Sequence, residues 1–212
     1  MNVADPAIGA TSVPVAYEPG GFVLVVSGPS GAGKGTLIQR LMQARPNCRF
    51  SVSATTRALR GEEQNGREYW FLTRAEFLAR READGFLESA EVHDRFYGTL
   101  KSEVDEKQRA GHVVVLDIDV QGAAQVRVKR PDAVTVFVAP PSLEVLRQRL
   151  TNPTTGARDN VEQRIHNATI EIPQYVHYQY VIVNDQLEEA VTQLIAIHDA
   201  ERCRVSRITP RF

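Results

Sequence analysis

Residues 22–36 read FVLVVSGPSGAGKGT, and the fold follows from how this stretch is read. Phe22 to Val26 form an unbroken apolar run. It is too short for an amphipathic helix and rich in valine, as in a strand buried on both faces. A glycine-dense loop follows. In it Gly28, Gly33 and Lys34 fit the G-x-x-x-x-G-K pattern of a phosphate-binding loop, with Pro29, Ser30, Gly31 and Ala32 between the glycines. From Thr36 to Met42 apolar residues recur at helical spacing. Strand, glycine loop and helix in that order is the setting the motif requires. Glycines let the backbone wrap a polyphosphate and aim N–H groups inward, and the helix start adds free N–H groups and a positive dipole end. Lys34 supplies a mobile positive charge for β and γ phosphates. The Ser or Thr expected straight after the lysine is Gly35, and the hydroxyl comes one place later, at Thr36.

Around this loop lie 212 residues, enough for one large domain with a real core. Net charge is −1, which argues against a general polyanion binder. Cys48 and Cys203 lie far apart without metal spacing, which points to a reducing cytosol rather than a disulfide scaffold. The five histidines show no metal spacing either. No apolar run approaches the ~18 residues of a membrane span. The first residues, with Asp5 and scattered prolines, lack the pattern of a secretory signal.

Residues 1–20 read as a flexible N-terminal tail and 206–212 as a C-terminal one, around a domain at 21–205. The first helix should stop near Arg45-Pro46. A strand is expected at Phe50–Ser53, another within Arg67–Leu72, and a third at Phe86–Val92. Thr73 and Glu76 have capping-box spacing. Apolar runs at 113–116, 133–138 and 180–183 alternate with helical stripes, among them Leu143/Leu146/Leu150 and Leu187/Ala190/Val191/Leu194/Ile195. The reading is an α/β fold of the P-loop NTPase type: a parallel sheet flanked by helices, with an inserted mixed subdomain and a lid. The core would comprise 21–52 and 101–205, the insert 53–100, and the lid about 151–165. Active residues belong at the carboxyl ends of the parallel strands, where the glycine loop and Asp117 both fall.

A second anion site is suggested by Arg57 and Arg60, with Ser53 and Tyr69 nearby. Two guanidinium forks with hydroxyl donors suit a terminal phosphate dianion. Here the chain resembles the guanylate kinase family. The resemblance rests on SVSATTR at 51–57, RGE at 60–62, FLESAEVH at 86–93, YGT at 97–99, LDIDVQGA at 116–123, PPS at 140–142 and IVND at 182–185. It spans about Gly21 to Arg202.

The resemblance implies Mg2+-dependent phosphoryl transfer from ATP to GMP, and to dGMP, in purine metabolism in the cytoplasm. It implies that Ser53, Arg57, Arg60, Tyr69 and Tyr97 hold the GMP phosphate, that Glu88 and Thr99 read guanine, and that Asp117 lies near guanine and the magnesium waters. Residues 28–36 and Asn184 would bind ATP, with Thr36 and Asp117 as the candidates for touching the metal. Lys34, Arg149 and Arg164 would close over the transferring group. The chain departs from the family in the lid, where the usual arginine falls on Pro153, and Arg158 is the nearby substitute. Two other readings compete: a scaffold domain that binds phosphopeptides at this site, and a kinase for another acceptor such as a phosphorylated ribose. Lys34 disfavours the first and the Glu88–Thr99 pair the second. ATP and GMP are the expected partners, with no nucleic acid or membrane and with room for a homo-oligomer.

Overall fold

A computed structural model describes residues 16–152 and 160–211. The chain runs through β1 (Ala16–Pro19), β2 (Val23–Ser27), α1 (Lys34–Ala44), β3 (Cys48–Phe50), β4 (Ala54–Thr55), β5 (Trp70–Phe71), α2 (Arg74–Glu82), β6 (Phe86–Val92) and β7 (Arg95–Leu100). It continues through α3 (Lys101–Arg109), β8 (Val113–Asp117), α4 (Val120–Lys129), β9 (Val134–Ala139), α5 (Leu143–Thr151), α6 (Val161–Glu171), β10 (Tyr180–Val183), α7 (Leu187–Arg202) and β11 (Ile208–Arg211). A parallel five-stranded sheet has the order β10-β9-β2-β8-β3.

The period of two along a strand explains how this sheet is clothed. In β2, Leu24 and Val26 join a core with Leu37, Ile38 and Leu41 of α1 and Ala190, Val191 and Leu194 of α7. Their neighbours Val23 and Val25 join the opposite core, with Val104 of α3 and Ala123 and Val126 of α4. All four β2 residues are fully buried. At about 1.5–3 kcal/mol per buried aliphatic side chain, this double burial is why the run is continuously apolar. α1 ends at Ala44, one residue before the Arg45-Pro46 step.

The second sheet, β5-β4-β7-β6, is mixed. Phe77 of α2 fastens the helix to it, stacking on Phe86 at 4.3 Å and on Phe96 at 5.3 Å. Trp70 packs against the same cluster. The α2 start carries the full capping box: Thr73 Oγ1 accepts from Glu76 N–H, and the Glu76 carboxylate accepts from Thr73 N–H. α5 and α6 pack through Leu146, Leu150, Ile165 and Ala168.

Three sequence expectations need correction. Within the two expected tails, residues 16–19 and 208–211 are not loose, because β1 and β11 pair antiparallel from Ala16↔Arg211 to Pro19↔Ile208. The strand expected at 50–53 is broken after Phe50, because Glu103 takes the Ser51 hydroxyl and the Val52 N–H. The strand expected at 67–72 shortens to two residues, Trp70 and Phe71. The lid expectations on Pro153 and Arg158 lie outside the described residues.

Candidate active site

Strand β2 delivers the phosphate loop to the carboxyl edge of the sheet. Gly28 adopts φ +138°, and a Cβ there would sit 2.1 Å from the Val138 carbonyl oxygen of β9. Gly33 adopts φ +92°, and a Cβ there would sit 2.3 Å from Asn184 Nδ2. Glycine is therefore required at both places by backbone angle and by space. Asn184, just past β10, donates Nδ2–H to the Ala32 carbonyl at 2.8 Å and so ties this strand end to the loop.

Lys34 begins α1 and curls back over its own loop, donating to Gly28 O at 2.7 Å. Burial pushes its ammonium below the usual lysine range, while Asp117, Glu171 and Asp119 pull the other way. Burial likewise pushes the Asp117 carboxyl up, opposed by Lys34. A cavity of about 660 Å³ opens over the loop, bordered by Ser30, Lys34, Gly35, Thr36, Asp117, Arg149, Arg164 and Asn184. Arg149 donates to Asn184 O at 2.9 Å, and Arg164 donates to the Ser30 hydroxyl. The two arginines, from α5 and α6, thus already face the glycine loop.

The inserted sheet assembles the second group. Arg57 lies 5.3 Å over the Tyr69 ring and 5.6 Å over Phe71, and Tyr69 meets Tyr97 edge-on at 6.1 Å. Buried Thr99 donates its hydroxyl to Glu88 Oε1 at 2.6 Å. Burial pushes the Glu88 carboxyl up, against the pull of the Thr99 bond. The start of α4 reaches this pair: a Cβ on Gly122 would come within 3.3 Å of Glu88 Oε2. Asp117 borders the loop cavity, and α4, which begins at Val120, reaches Glu88 through Gly122. None of Ser53, Arg57, Arg60, Tyr69, Tyr97, Glu88 or Thr99 borders the loop cavity itself. The two groups lie on separate sheets.

A model of the guanylate kinase family matches residues 21–201. The chain belongs to the guanylate kinase family. It is an enzyme, a kinase acting on nucleotides. It is similar to the guanylate kinase of Koribacter versatilis, 50% identical over 88% of this chain and 81% of that one. It is also similar to that of Symbiobacterium thermophilum, 47% identical over 90% of each. The crystal structure of guanylate kinase from Anaplasma phagocytophilum superposes with a TM-score of 0.71, at 32% identity over 92% of this chain and 93% of that one.

Within this guanylate kinase fold the sequence reading missed several charged groups that face the site. Asp119 and Glu171 act on Lys34 from α4 and α6. Glu63 takes the Arg57 guanidinium at 2.7 and 3.0 Å and accepts from the Arg60 N–H at 2.8 Å. Its only sequence signal is position, six residues after one arginine and three after the other, in a stretch that reads as a solvated charged turn.

Proposed function

We propose that the chain transfers the γ-phosphoryl group of ATP to the phosphate of GMP, giving ADP and GDP, and that it accepts dGMP as well. The observation that carries this reading is the buried Glu88–Thr99 pair on the sheet beside a phosphate-loop cavity. An ionised Glu88 accepts from guanine N1–H and the exocyclic amine, and the Thr99 hydroxyl, whose one proton goes to Glu88 in the structure, turns it to O6 when guanine takes the carboxylate. Adenine lacks N1–H and reverses polarity at position 6, so it would leave the buried carboxylate without a donor from the base. Nothing in the assigned set reads the ribose 2′ position, which is why dGMP is included.

In this reading Ser53, Arg57, Arg60, Tyr69 and Tyr97 hold the acceptor phosphate. One of its oxygens attacks the γ phosphorus in line, the bond to the β-bridging oxygen breaks, and ADP leaves. A phosphate dianion is nucleophilic enough to need no general base. The protein's work is alignment and charge neutralisation, by the loop N–H groups, Lys34, Arg149 and Arg164. Asn184 borders the donor nucleotide.

The donor set also fits a magnesium ion. Thr36 and Asp117 border the cavity with oxygen ligands suited to a hard cation, and no cluster of three His, Cys, Asp or Glu among the described residues would bind a metal by itself. That suits an ion carried mainly by the ATP phosphates. When bound, Mg2+ would supply neutralisation of the β and γ oxygens. Free Cys48 and Cys203 suit a reducing compartment, and no helix among the described residues is long and apolar enough to cross a membrane. We place the enzyme in cytoplasmic purine nucleotide recycling. An ADP-release assay with GMP, dGMP, AMP and ribose phosphates tests the reading. Turnover with GMP and dGMP alone is expected, and equal use of AMP overturns the base assignment.

A further inference from the structure

Arg57 has five N–H donors, and the fold spends three of them. Both Nη1 protons are taken, one by Ala58 O at 2.8 Å and one by Glu63 Oε2 at 3.0 Å. One Nη2 proton goes to Glu63 Oε1 at 2.7 Å. The remaining donors, Nε–H and the second Nη2–H, lie parallel along one edge of the guanidinium. They form the fork that fits two oxygens of one phosphate. The plane itself is fixed by the Tyr69 and Phe71 rings, and the arginine side chain is only 11% exposed. Glu63 is held in turn by the Arg60 N–H at 2.8 Å. The Arg57 hydrogen bond is the main cause that keeps its carboxyl below the usual range, so it remains an anion under working conditions.

We propose that Glu63 is a positioning residue of the acceptor site, which occupies the end-on fork of Arg57 and leaves the Nε/Nη2 edge as the phosphate's seat. This rests on the acceptor-site reading above and deepens it. A carboxylate beside a phosphate site is at first sight a competitor for the same arginine. The donor count argues otherwise, because Glu63 and a phosphate use different edges of the guanidinium. Glu63 therefore stays in place when the phosphate binds, and the pair works as one rigid unit.

The test compares Glu63→Gln with the unmutated chain in steady-state kinetics. An amide keeps the size but offers one acceptor and a donor that faces Arg57. The expected result is a KM for GMP raised about tenfold or more, the scale of one lost charge-assisted bond. kcat at saturating GMP and the KM for ATP should stay near normal. Guanosine, which has no phosphate, should inhibit both forms equally. On an Arg57→Lys background the Glu63→Gln change should add little, because the two residues act as one unit. An unchanged KM for GMP in Glu63→Gln overturns the inference, and a lowered one shows that Glu63 competes with the phosphate and overturns it too. A parallel loss in guanosine inhibition and in the KM for ATP makes the role merely structural and also overturns it. An unmutated chain that does not phosphorylate GMP overturns the acceptor reading itself, a result separate from all of these.

Discussion

Thr99 donates its hydroxyl to Glu88 at 2.6 Å, and both side chains are buried on the face that meets the start of α4. This bond orients one carboxylate oxygen and leaves Oε2 for a ligand. Glu88→Gln should lose most of the preference for GMP over AMP, because the amide presents a donor to a guanine donor. Acid should have the same effect as the mutation. Burial raises the Glu88 pKa, so the proton returns above the usual carboxylate range as pH falls. The KM for GMP should therefore rise on acidification, with a midpoint above about 4.3, the ordinary glutamate value. A pH profile of that KM, flat in the unmutated chain down to pH 4, would sink the assignment.

Lys34 begins the helix behind the phosphate loop and donates to the Gly28 and Pro29 carbonyls; of the residues assigned to GMP, Asp117 acts on its charge. Lys34→Met should lower kcat by about a hundredfold or more, the scale of losing one preorganised charge at a transition state. GMP binding, followed by calorimetry without ATP, should be nearly unchanged. Full activity in this variant would remove the donor-site reading.

Glu103 stitches together the two places where the chain crosses between the sheets. It sits in the first turn of α3, just past β7, and accepts from Ser51 Oγ at 2.8 Å and Val52 N–H at 3.1 Å just past β3. Lys107 balances its charge. Glu103→Ala leaves the donors at Ser51 and Val52 without their acceptor, which costs about 1–3 kcal/mol. A fall in Tm of several degrees is expected, at roughly 2–4 °C per kcal/mol for a domain of this size. Thermal scans that match the unmutated chain would show that water replaces the carboxylate at no loss.

Asp199 links α7 to α1 through Arg45, which donates Nε–H at 2.7 Å. This bond is the main cause that holds its carboxyl down to about 2, with the His198 bond adding to it. A depressed carboxylate stabilises the fold above its unfolded pKa, about 3.9. That contribution is lost as pH falls toward about 2. His198, buried beside it, is pushed below the usual histidine range by burial. It therefore also loses stability on acidification, starting near its unfolded pKa of about 6.5. The Asp199 side chain is 46% exposed, so solvent screening limits its share to under about 1 kcal/mol. Urea midpoints should show Asp199→Asn below the unmutated chain at pH 6 and converging with it below pH 4. A constant gap across that range would contradict this account.

What was legible in the sequence was whatever a local period or a local sterics rule carries. The β2 run, the stop of α1 before Pro46 and the Thr73–Glu76 cap are decided within a few residues of themselves. β6 begins at Phe86 and ends at Val92, the bounds expected of it from the sequence. The β1–β11 ribbon was hidden for the opposite reason. Pro19 and Pro210 lie inside it, and each removes a ladder donor and makes the strand read as a tail. Only a partner nearly two hundred residues away turns those segments into strands. At the site, the loop and Asp117 followed from motif and strand end. Glu63 did not, because its partner Arg57 is six positions away in irregular chain, where no periodicity predicts a contact.

The same ribbon sets how the fold would respond to a pull. Ala16 and Arg211 are opposite partners at its outer end, and Pro19 and Ile208 close its inner end, next to the Gly20–Arg207 bond at 2.6 Å. Force applied across Ala16 and Arg211 loads these pairs one after another, as in a zipper, rather than all at once in shear. The ribbon should open at low load while β2 stays anchored between β8 and β9. The phosphate loop, at the far end of β2, would feel the force only after the zipper has run out.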